Sequence, residues 1–158
     1  MVSKSRKFWA DVFCAWAVAT LLSGIPSTLY SWATGRDVLE AMRAAGTLLL
    51  SEKSSSFALF LAAAVVHCSI SLFWSIVFIS VLPIKRVILY SVTGAIVIGV
   101  FDLRIIGPLF PEIIQLPFWP QMADHILWGA SLGTVHFIRN KTPNKGVQVM
   151  PNSGTPDT

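Results

Sequence analysis

The sequence predicts an all-α integral membrane protein in which four transmembrane helices form a bundle, and three observations lead to that prediction. Of the 158 residues, 54% are hydrophobic and only 13% are charged, which does not suit a soluble domain. Several apolar runs are long enough to cross the hydrocarbon core of a bilayer. Within these runs small residues recur at four-residue intervals, and small residues let membrane helices approach one another closely.

The first span is expected at about residues 8–30, directly after three cationic residues among the first seven. A secretory signal peptide would begin in the same way, and Ser31-Trp32-Ala33 has the small-x-small pattern of a cleavage site. The apolar run is nevertheless longer than the core of roughly 7–15 residues that signal peptides carry. We therefore expect this segment to be an uncleaved transmembrane helix.

Residues 33–56 carry too many charges to lie within the hydrocarbon core. Their apolar residues follow helical spacing, at Val38, Leu39, Met42, Ala45 and Leu49. The pattern predicts a short helix after the first span. This helix either lies at the membrane surface or belongs to an ordinary solvated loop, and the sequence is compatible with both.

Three further spans are expected at about residues 57–82, 87–107 and 122–138. Pro83 and the pair Lys85-Arg86 predict a tight turn between the second and third spans. Before the fourth span, the segment PLFPEIIQLPFWP contains four prolines and cannot be a regular helix throughout. Residues 1–139 would thus form one membrane domain. Residues 140–158 are polar and rich in Pro, Gly and Asn, which predicts a disordered cytoplasmic tail.

The distribution of cations predicts the orientation of the chain. Most of the lysines and arginines fall at one end of the predicted spans, namely Lys4, Arg6, Lys7, Lys85, Arg86, Arg139, Lys141 and Lys145. Cytoplasmic loops carry such an excess, so both termini are expected to be cytoplasmic. We expect a multi-pass membrane protein, with the lipid bilayer as its surroundings.

Small residues form a stripe on three of the predicted spans. A four-residue step turns only about 40° around a helix, so residues at this spacing share one face. The stripes are His67, Ser71 and Ser75 on span two, Ser91, Ala95 and Gly99 on span three, and His125, Gly129 and Gly133 on span four. Each half of the chain therefore ends in a span with a histidine above two small residues. This pattern favours two parallel two-helix repeats, related by an axis along the membrane normal.

Several short motifs resemble those of a family of small four-helix bacterial inner-membrane proteins with no established activity. They are Pro26-Ser27-Thr28, Gly35-Arg36-Asp37, Leu39-Glu40-Ala41, Arg43-Ala44-Ala45-Gly46 and Ala123-Asp124-His125. In the family a proline follows Gly-Arg-Asp, whereas this sequence has Val38, which leaves the start of the short helix less firmly fixed. The resemblance implies a four-helix inner-membrane protein and carries no activity.

Histidines within predicted spans are candidate functional residues, because ionisable groups are costly in the membrane interior. His67, His125 and His136 lie in such positions, and Asp124 precedes His125. Counting from the expected span ends places His67 roughly 9 Å deeper than His125. These side chains either form a polar membrane site or donate hydrogen bonds that hold neighbouring helices together.

A second group of charges, here called the outer charged cluster, is assigned to the side opposite the termini. Its members are Arg36, Asp37, Asp102, Arg104 and Glu112. We expect pairs such as Asp102 with Arg36, or Arg104 with Asp124, across the two halves. The cluster would then either hold the outer loops together or form the mouth of a site for a cation or small polar solute.

Motif content narrows the function classes. The cations are dispersed, so nucleic acid is not an expected partner. The sequence has no Gly-rich phosphate loop, Gly-x-Ser-x-Gly or His-Glu-x-x-His motif, so we expect no enzymatic activity. No metal-binding spacing is present, and a bis-histidine haem between spans two and four lacks depth-matched histidines. We therefore expect no metal and no cofactor.

Two function hypotheses remain. The leading one is a structural or interaction protein that associates with a second copy or with other membrane proteins through its small-residue faces. The alternative is a small transporter or channel for a cation or small polar solute, which would use the membrane-embedded histidines and the outer charged cluster.

Overall fold

Every regular element between residues 4 and 141, the part of the chain that the computed structural model describes, is helical. The all-α prediction is confirmed for this part. The long helices are α1 (Lys4–Ser23), α4 (Ser56–Val81), α5 (Val87–Phe101) and α7 (Phe118–Lys141); the short ones are α2 (Ile25–Ala33), α3 (Glu40–Gly46) and α6 (Pro111–Ile114). Most of the predicted disordered tail lies outside the described residues, whereas Asn140 and Lys141 continue α7.

Three helical segments are long and apolar enough to cross a membrane: Ser5–Ala33, Ser56–Val81 and Ile84–Leu109. They correspond to the first three predicted spans. Helix α7 has 24 residues, which is roughly 36 Å at 1.5 Å per residue. It is not among the three, because its polar and charged residues lower its mean hydropathy.

The first segment is interrupted at Gly24, where α1 gives way to α2. Pro26 explains this break, since proline has no backbone N–H and its ring clashes with the carbonyl of the residue four positions earlier. Pro26 occupies the first turn of α2, where that missing donor costs nothing.

Helix α7 begins four residues before the expected Met122. Pro120 falls in the first turn of α7, a position that tolerates proline, so the helix can start at Phe118. At the end of α5 the chain widens into a π-helical turn over Asp102–Ile106, in which the Gly107 N–H donates to the Asp102 carbonyl. Single π turns of this kind are frequent at functional sites.

The bundle is organised around α7, which packs against α5 on one side and against α1 on the other. Helix α4 packs against α1, and α3 packs against α4. We call the end that holds the start of α1, the end of α7 and the Ile84–Arg86 turn the near end, and the end that holds α3 and α6 the far end. The buried apolar core lies between α1, α4, α5 and α7 and consists of Val12, Ala15, Ala19, Phe78, Ile79, Ala95, Trp128 and Leu132.

Small residues bring α5 and α7 into backbone contact. A Cβ added at Gly129 would lie 2.5 Å from the Ser91 carbonyl oxygen and 2.6 Å from the Ala95 Cβ. A Cβ at Gly133 would lie 2.8 Å from the Ile88 Cα. The stripe of α5 therefore faces the stripe of α7, and both are occupied within the chain.

Helix α3 does not stand apart as a solvated loop helix. Gly46 at its end is buried against the backbone of α4 at Leu59, and any side chain there would overlap that backbone. Asp37 Oδ1 accepts the N–H of Leu39 at 2.8 Å just before the helix begins. One face of α3 is thereby fixed to the far end of the bundle.

Candidate functional site

A cavity of about 250 Å³ lies within the far half of the bundle. We call it the histidine cavity. Its polar lining comes from α1, α2, α4, α7 and the π-helical turn, through Ser23, Ser27, His67, Asp102, Asp124 and His125. Helix α3 contributes Ala41, Met42 and Ala45 to one wall. The apolar remainder of the lining includes two indole rings, those of Trp74 and Trp128.

His67 reaches from α4 to the end of α1. Its Nε2 lies 3.1 Å from Ser23 Oγ and 3.3 Å from the Thr20 carbonyl oxygen. This is the interhelical hydrogen bonding expected of a structural histidine, yet the side chain also lines the histidine cavity and remains exposed. His67 can therefore hold two helices together and also form part of a polar membrane site.

His125 packs against the backbone of α5 at a glycine. A Cβ at Gly99 would lie 2.9 Å from the His125 ring, so the small residue makes room for the imidazole. Its Nε2 lies 4.0 Å from Asp102 Oδ2, and the two form an ion pair only when the imidazole is protonated and the carboxyl is ionised. The π-helical turn begins at Asp102 and so determines where this carboxylate lies.

His67 and His125 line the same cavity, although the sequence placed them at different depths. Helix α7 starts four residues earlier than expected, so His125 lies two turns inside the helix rather than at its beginning. The difference in depth between the two histidines is therefore smaller than the sequence predicted. The remaining offset is small enough for one cavity to include both rings.

Asp124 joins α7 to the start of α2. Its Oδ1 accepts the backbone N–H of Ser27 at 3.0 Å. Ser27 lies in the first turn of α2, where the N–H groups have no partner within the helix, so the carboxylate caps this helix from another part of the chain. Asp124 is thus both a structural cap and a wall of the histidine cavity.

The outer charged cluster divides into separate contacts instead of one network. Arg36 pairs with Glu40 at 2.6 Å, and Arg43 pairs with Asp37. The Arg43 guanidinium and the Leu39 N–H hold the pKa of the Asp37 carboxyl below its usual value. These charges are thus paired with residues close in sequence, and Arg36 does not pair with Asp102.

The remaining members also have partners other than those expected. The Arg104 guanidinium carbon lies 4.4 Å from the centre of the Phe118 ring, a cation–π contact, and does not pair with Asp124. Glu112 lies in α6, which contacts α3. The expected pairings of Asp102 with Arg36 and of Arg104 with Asp124 were wrong, and Asp102 is the one member of the cluster that lines the histidine cavity.

His136 lies at the near end and is separate from the histidine cavity. It is buried, and Asn140 Nδ2 lies 3.2 Å from its Nδ1. Asn140 also donates to Asp11, whose carboxylate accepts from Arg139 Nε at 2.7 Å. Sequence reasoning missed Asp11, although a single carboxylate within an apolar run was the available signal.

The floor of the histidine cavity is a layer of hydrogen bonds between helices. Trp128 Nε1 donates to Ser71 Oγ at 2.7 Å, and Ser71 Oγ lies 2.6 Å from Thr20 Oγ1. Ser75, one turn further, is fully buried and donates to the Ser71 carbonyl. Below this layer lies the apolar core, so the bundle is closed on the side of the near end.

The cavity has a definite electrostatic character. Two carboxylates and two imidazoles line it, and no lysine or arginine of residues 4–141 does. Within that range no three His, Cys, Asp or Glu side chains converge closely enough to hold a metal ion. The geometry suits a small polar or cationic molecule better than an anion.

Comparison with protein-family models, with curated proteins and with solved structures finds no match for this chain. The resemblance to the four-helix bacterial inner-membrane family therefore stays a prediction. Function has to be argued from the geometry of the histidine cavity.

Proposed function

We propose that this chain is a four-span inner-membrane protein that binds a small cationic or polar solute in the histidine cavity and moves it across the bilayer. One observation carries the proposal: His67, Asp102, Asp124 and His125, from three separate parts of the chain, line a single cavity. Ionisable side chains that meet inside a membrane bundle are characteristic of solute and ion pathways.

The fourth span is α7. Its polar residues do not make it unsuitable for the bilayer, because they are directed into the protein or lie at its end. Asp124 and His125 line the histidine cavity, His136 is buried, and Arg139 pairs with Asp11. Such internal pairing is how membrane helices retain ionisable groups. Helix α7 also lies between α1 and α5, which are themselves apolar enough to span.

The orientation proposed is that both termini are cytoplasmic. The near end carries Lys85, Arg86, Arg139 and Lys141, which supports this orientation through the excess of cations on the cytoplasmic side. The histidine cavity would then face the periplasmic half of the membrane. Its floor at Trp128 and Ser71 would separate it from the cytoplasm, so transport needs a rearrangement of the bundle rather than a permanent channel.

Two parallel repeats would fit this mechanism. Helix α1 packs against α4 within the first half of the chain, and α5 packs against α7 within the second. The histidine cavity is lined by both halves. Transporters built from repeats bind their substrates at such an interface, near the middle of the membrane, and move one repeat against the other.

The interaction hypothesis has less support. It depended on small-residue faces that are free to pack against another chain. The faces of α5 and α7 pack against each other, and Ser71 and Ser75 of α4 lie buried against the interior. These stripes are therefore occupied in the folded chain and offer nothing to a partner.

A flux experiment tests the proposal. The full chain is reconstituted into liposomes, and uptake of radiolabelled methylammonium is measured under an imposed membrane potential. We expect uptake above that of protein-free liposomes, and a decrease of about tenfold in Asp102→Asn, because the variant lacks a carboxylate that lines the cavity.

Glu112→Gln is the matched control, since it also removes a carboxylate at the far end but one that does not line the cavity. Its uptake should equal that of the unmodified chain. Equal uptake by all three proteins, or no uptake by a folded unmodified chain, would overturn the proposed function.

A further inference from the structure

An apolar groove of about 690 Å³ runs along the outside of the bundle between α4 and α5. The groove exists because α4 packs on α1 whereas α5 packs on α7. As a result α4 and α5 have few contacts with each other. Towards the near end they meet where Phe78 lies against Gly94, whose added Cβ would be 2.6 Å from the ring. The residues that line the groove lie on the far side of that contact. Its apolar walls include Phe73 and Val97, both more than half exposed.

The groove is continuous with the histidine cavity. Four residues line both spaces: Ile70, Trp74, Ile98 and Asp102. The lining changes from apolar side chains in the groove to carboxylates and imidazoles in the cavity, and the Asp102 carboxylate stands at the junction. In a bilayer the groove would face acyl chains, so the cavity has a lateral opening towards lipid.

The chemistry along this path selects for one kind of molecule. Two carboxylates, Asp102 and Asp124, and the indoles of Trp74 and Trp128 favour a cation through charge and cation–π attraction. No lysine or arginine in the described part of the chain lines the groove or the cavity. The cavity is smaller than the roughly 300–1,000 Å³ of typical ligand sites, so it suits a headgroup rather than a whole large ligand.

We infer that the ligand is an amphipathic cation that reaches the protein from the lipid phase. Its ammonium-type headgroup binds in the histidine cavity beside Asp102, and its single alkyl chain lies in the groove between α4 and α5. This inference rests on the proposed function and adds the chemical class of the solute and the side from which it arrives.

The test measures binding of radiolabelled decylammonium to the full chain in lipid nanodiscs, with protein-free nanodiscs as background. Methylammonium and decanoate are the comparison probes. We expect decylammonium to bind at least roughly tenfold more tightly than methylammonium, because the chain adds apolar contact. Decanoate should bind no more than background, since its carboxylate would meet Asp102.

The variant Ile70→Trp locates the alkyl chain. Ile70 lines both spaces and is 48% exposed, so a larger side chain there fills the junction without entering the core. Val65→Trp is the matched control on the same helix: Val65 is 59% exposed and lines neither space. Decylammonium affinity should fall about tenfold in Ile70→Trp and stay unchanged in Val65→Trp. Because Ile70 also lines the histidine cavity, the loss in Ile70→Trp is compared between the two amines and should be larger for decylammonium than for methylammonium.

The outcomes separate the two proposals. If decylammonium binds no better than methylammonium, or if Ile70→Trp and Val65→Trp behave alike, the lateral inference is overturned while the proposed function stands. Binding of decanoate as tight as that of decylammonium would overturn the cationic class. If neither amine binds and methylammonium uptake is also absent, the proposed function fails as well.

Discussion

At the scale of single residues, polar side chains in this chain hold helices together by specific pairs. Asp11 is 4% exposed on α1 and accepts hydrogen bonds from Arg139 and Asn140 of α7. Asp124 of α7 caps α2 in the same manner at the far end. A buried carboxylate without its partner is costly, so each pair determines how α7 sits against its neighbours.

The pair at the near end can be tested by the substitution Asp11→Asn. The variant retains the shape of the side chain but leaves Arg139, which is partly exposed, without its counter-charge. We expect a loss of about 1–3 kcal/mol in the free energy of unfolding, measured by denaturing-detergent titration.

Asp37→Asn is the control for this prediction. Its ion pair with Arg43 is exposed to solvent, so its removal should change the unfolding free energy far less. Equal effects of the two substitutions would mean that Asp11 does not hold α7 in place.

At the scale of elements, small residues determine which helices touch. Ser91, Ala95 and Gly99 of α5 are all buried. Ser91 and Ala95 face Gly129 of α7, Ser91 also faces Gly133, and Gly99 faces the His125 ring. The four-residue spacing is visible in the sequence, because it places these residues on one helix face. The helix against which this face packs depends on the arrangement of the whole bundle. Here the face of α5 packs against the small-residue stripe of α7.

The substitution Gly129→Ala tests this contact. The added Cβ would lie 2.5 Å from the Ser91 carbonyl oxygen, which is backbone and cannot rotate away, so α5 and α7 must separate. We expect a loss of about 1–3 kcal/mol in the free energy of unfolding, the usual cost of overpacking.

Gly24→Ala is the matched control, since nothing lies within 4 Å of an added Cβ there and its φ of −79° suits alanine. It should leave stability unchanged or raise it slightly. If Gly129→Ala is tolerated as well as Gly24→Ala, the backbone contact at Gly129 does not hold α5 and α7 together.

At the scale of the whole molecule, one half of the bundle is closed and the other contains the histidine cavity. The near half is packed around the apolar core, and the far half contains the histidine cavity, helix α3 and the groove between α4 and α5. In the proposed orientation, the half that contains the histidine cavity faces the periplasm and the closed half faces the cytoplasm.

Labelling of single cysteines tests the orientation. In a variant without Cys14 and Cys68, cysteines introduced at Ser55 and at Glu112 should react with a membrane-impermeant thiol reagent added to intact spheroplasts. Reporter fusions at both termini should be active only in the cytoplasm. Because both introduced sites lie at the far end, opposite labelling of the two would contradict the four-span topology.

Much of the fold was predictable from sequence because it depends on local properties. Helix formation and apolar length follow from composition and spacing within each segment. The helical class was therefore predictable, and so were the three apolar segments, which correspond to three of the four expected spans. The start of α7 was misplaced by four residues, since the four-proline segment was expected not to be helical throughout, whereas Pro120 fits the first helical turn. The expected pairings of the outer charged cluster failed because each group has another partner. Arg36 pairs with Glu40, Arg104 lies over the Phe118 ring, and Asp124 accepts the Ser27 N–H.

The sequence by itself therefore determined the helices, their small-residue faces and the candidate polar residues. Only the tertiary structure decided that His67, Asp102, Asp124 and His125 meet in one cavity while His136 does not. The physical reason is that convergence depends on helix starts, on the break at Gly24 and on the π-helical turn at Asp102. Each of these changes where a side chain lies relative to the neighbouring helices, which depends on packing against distant residues and not on local spacing.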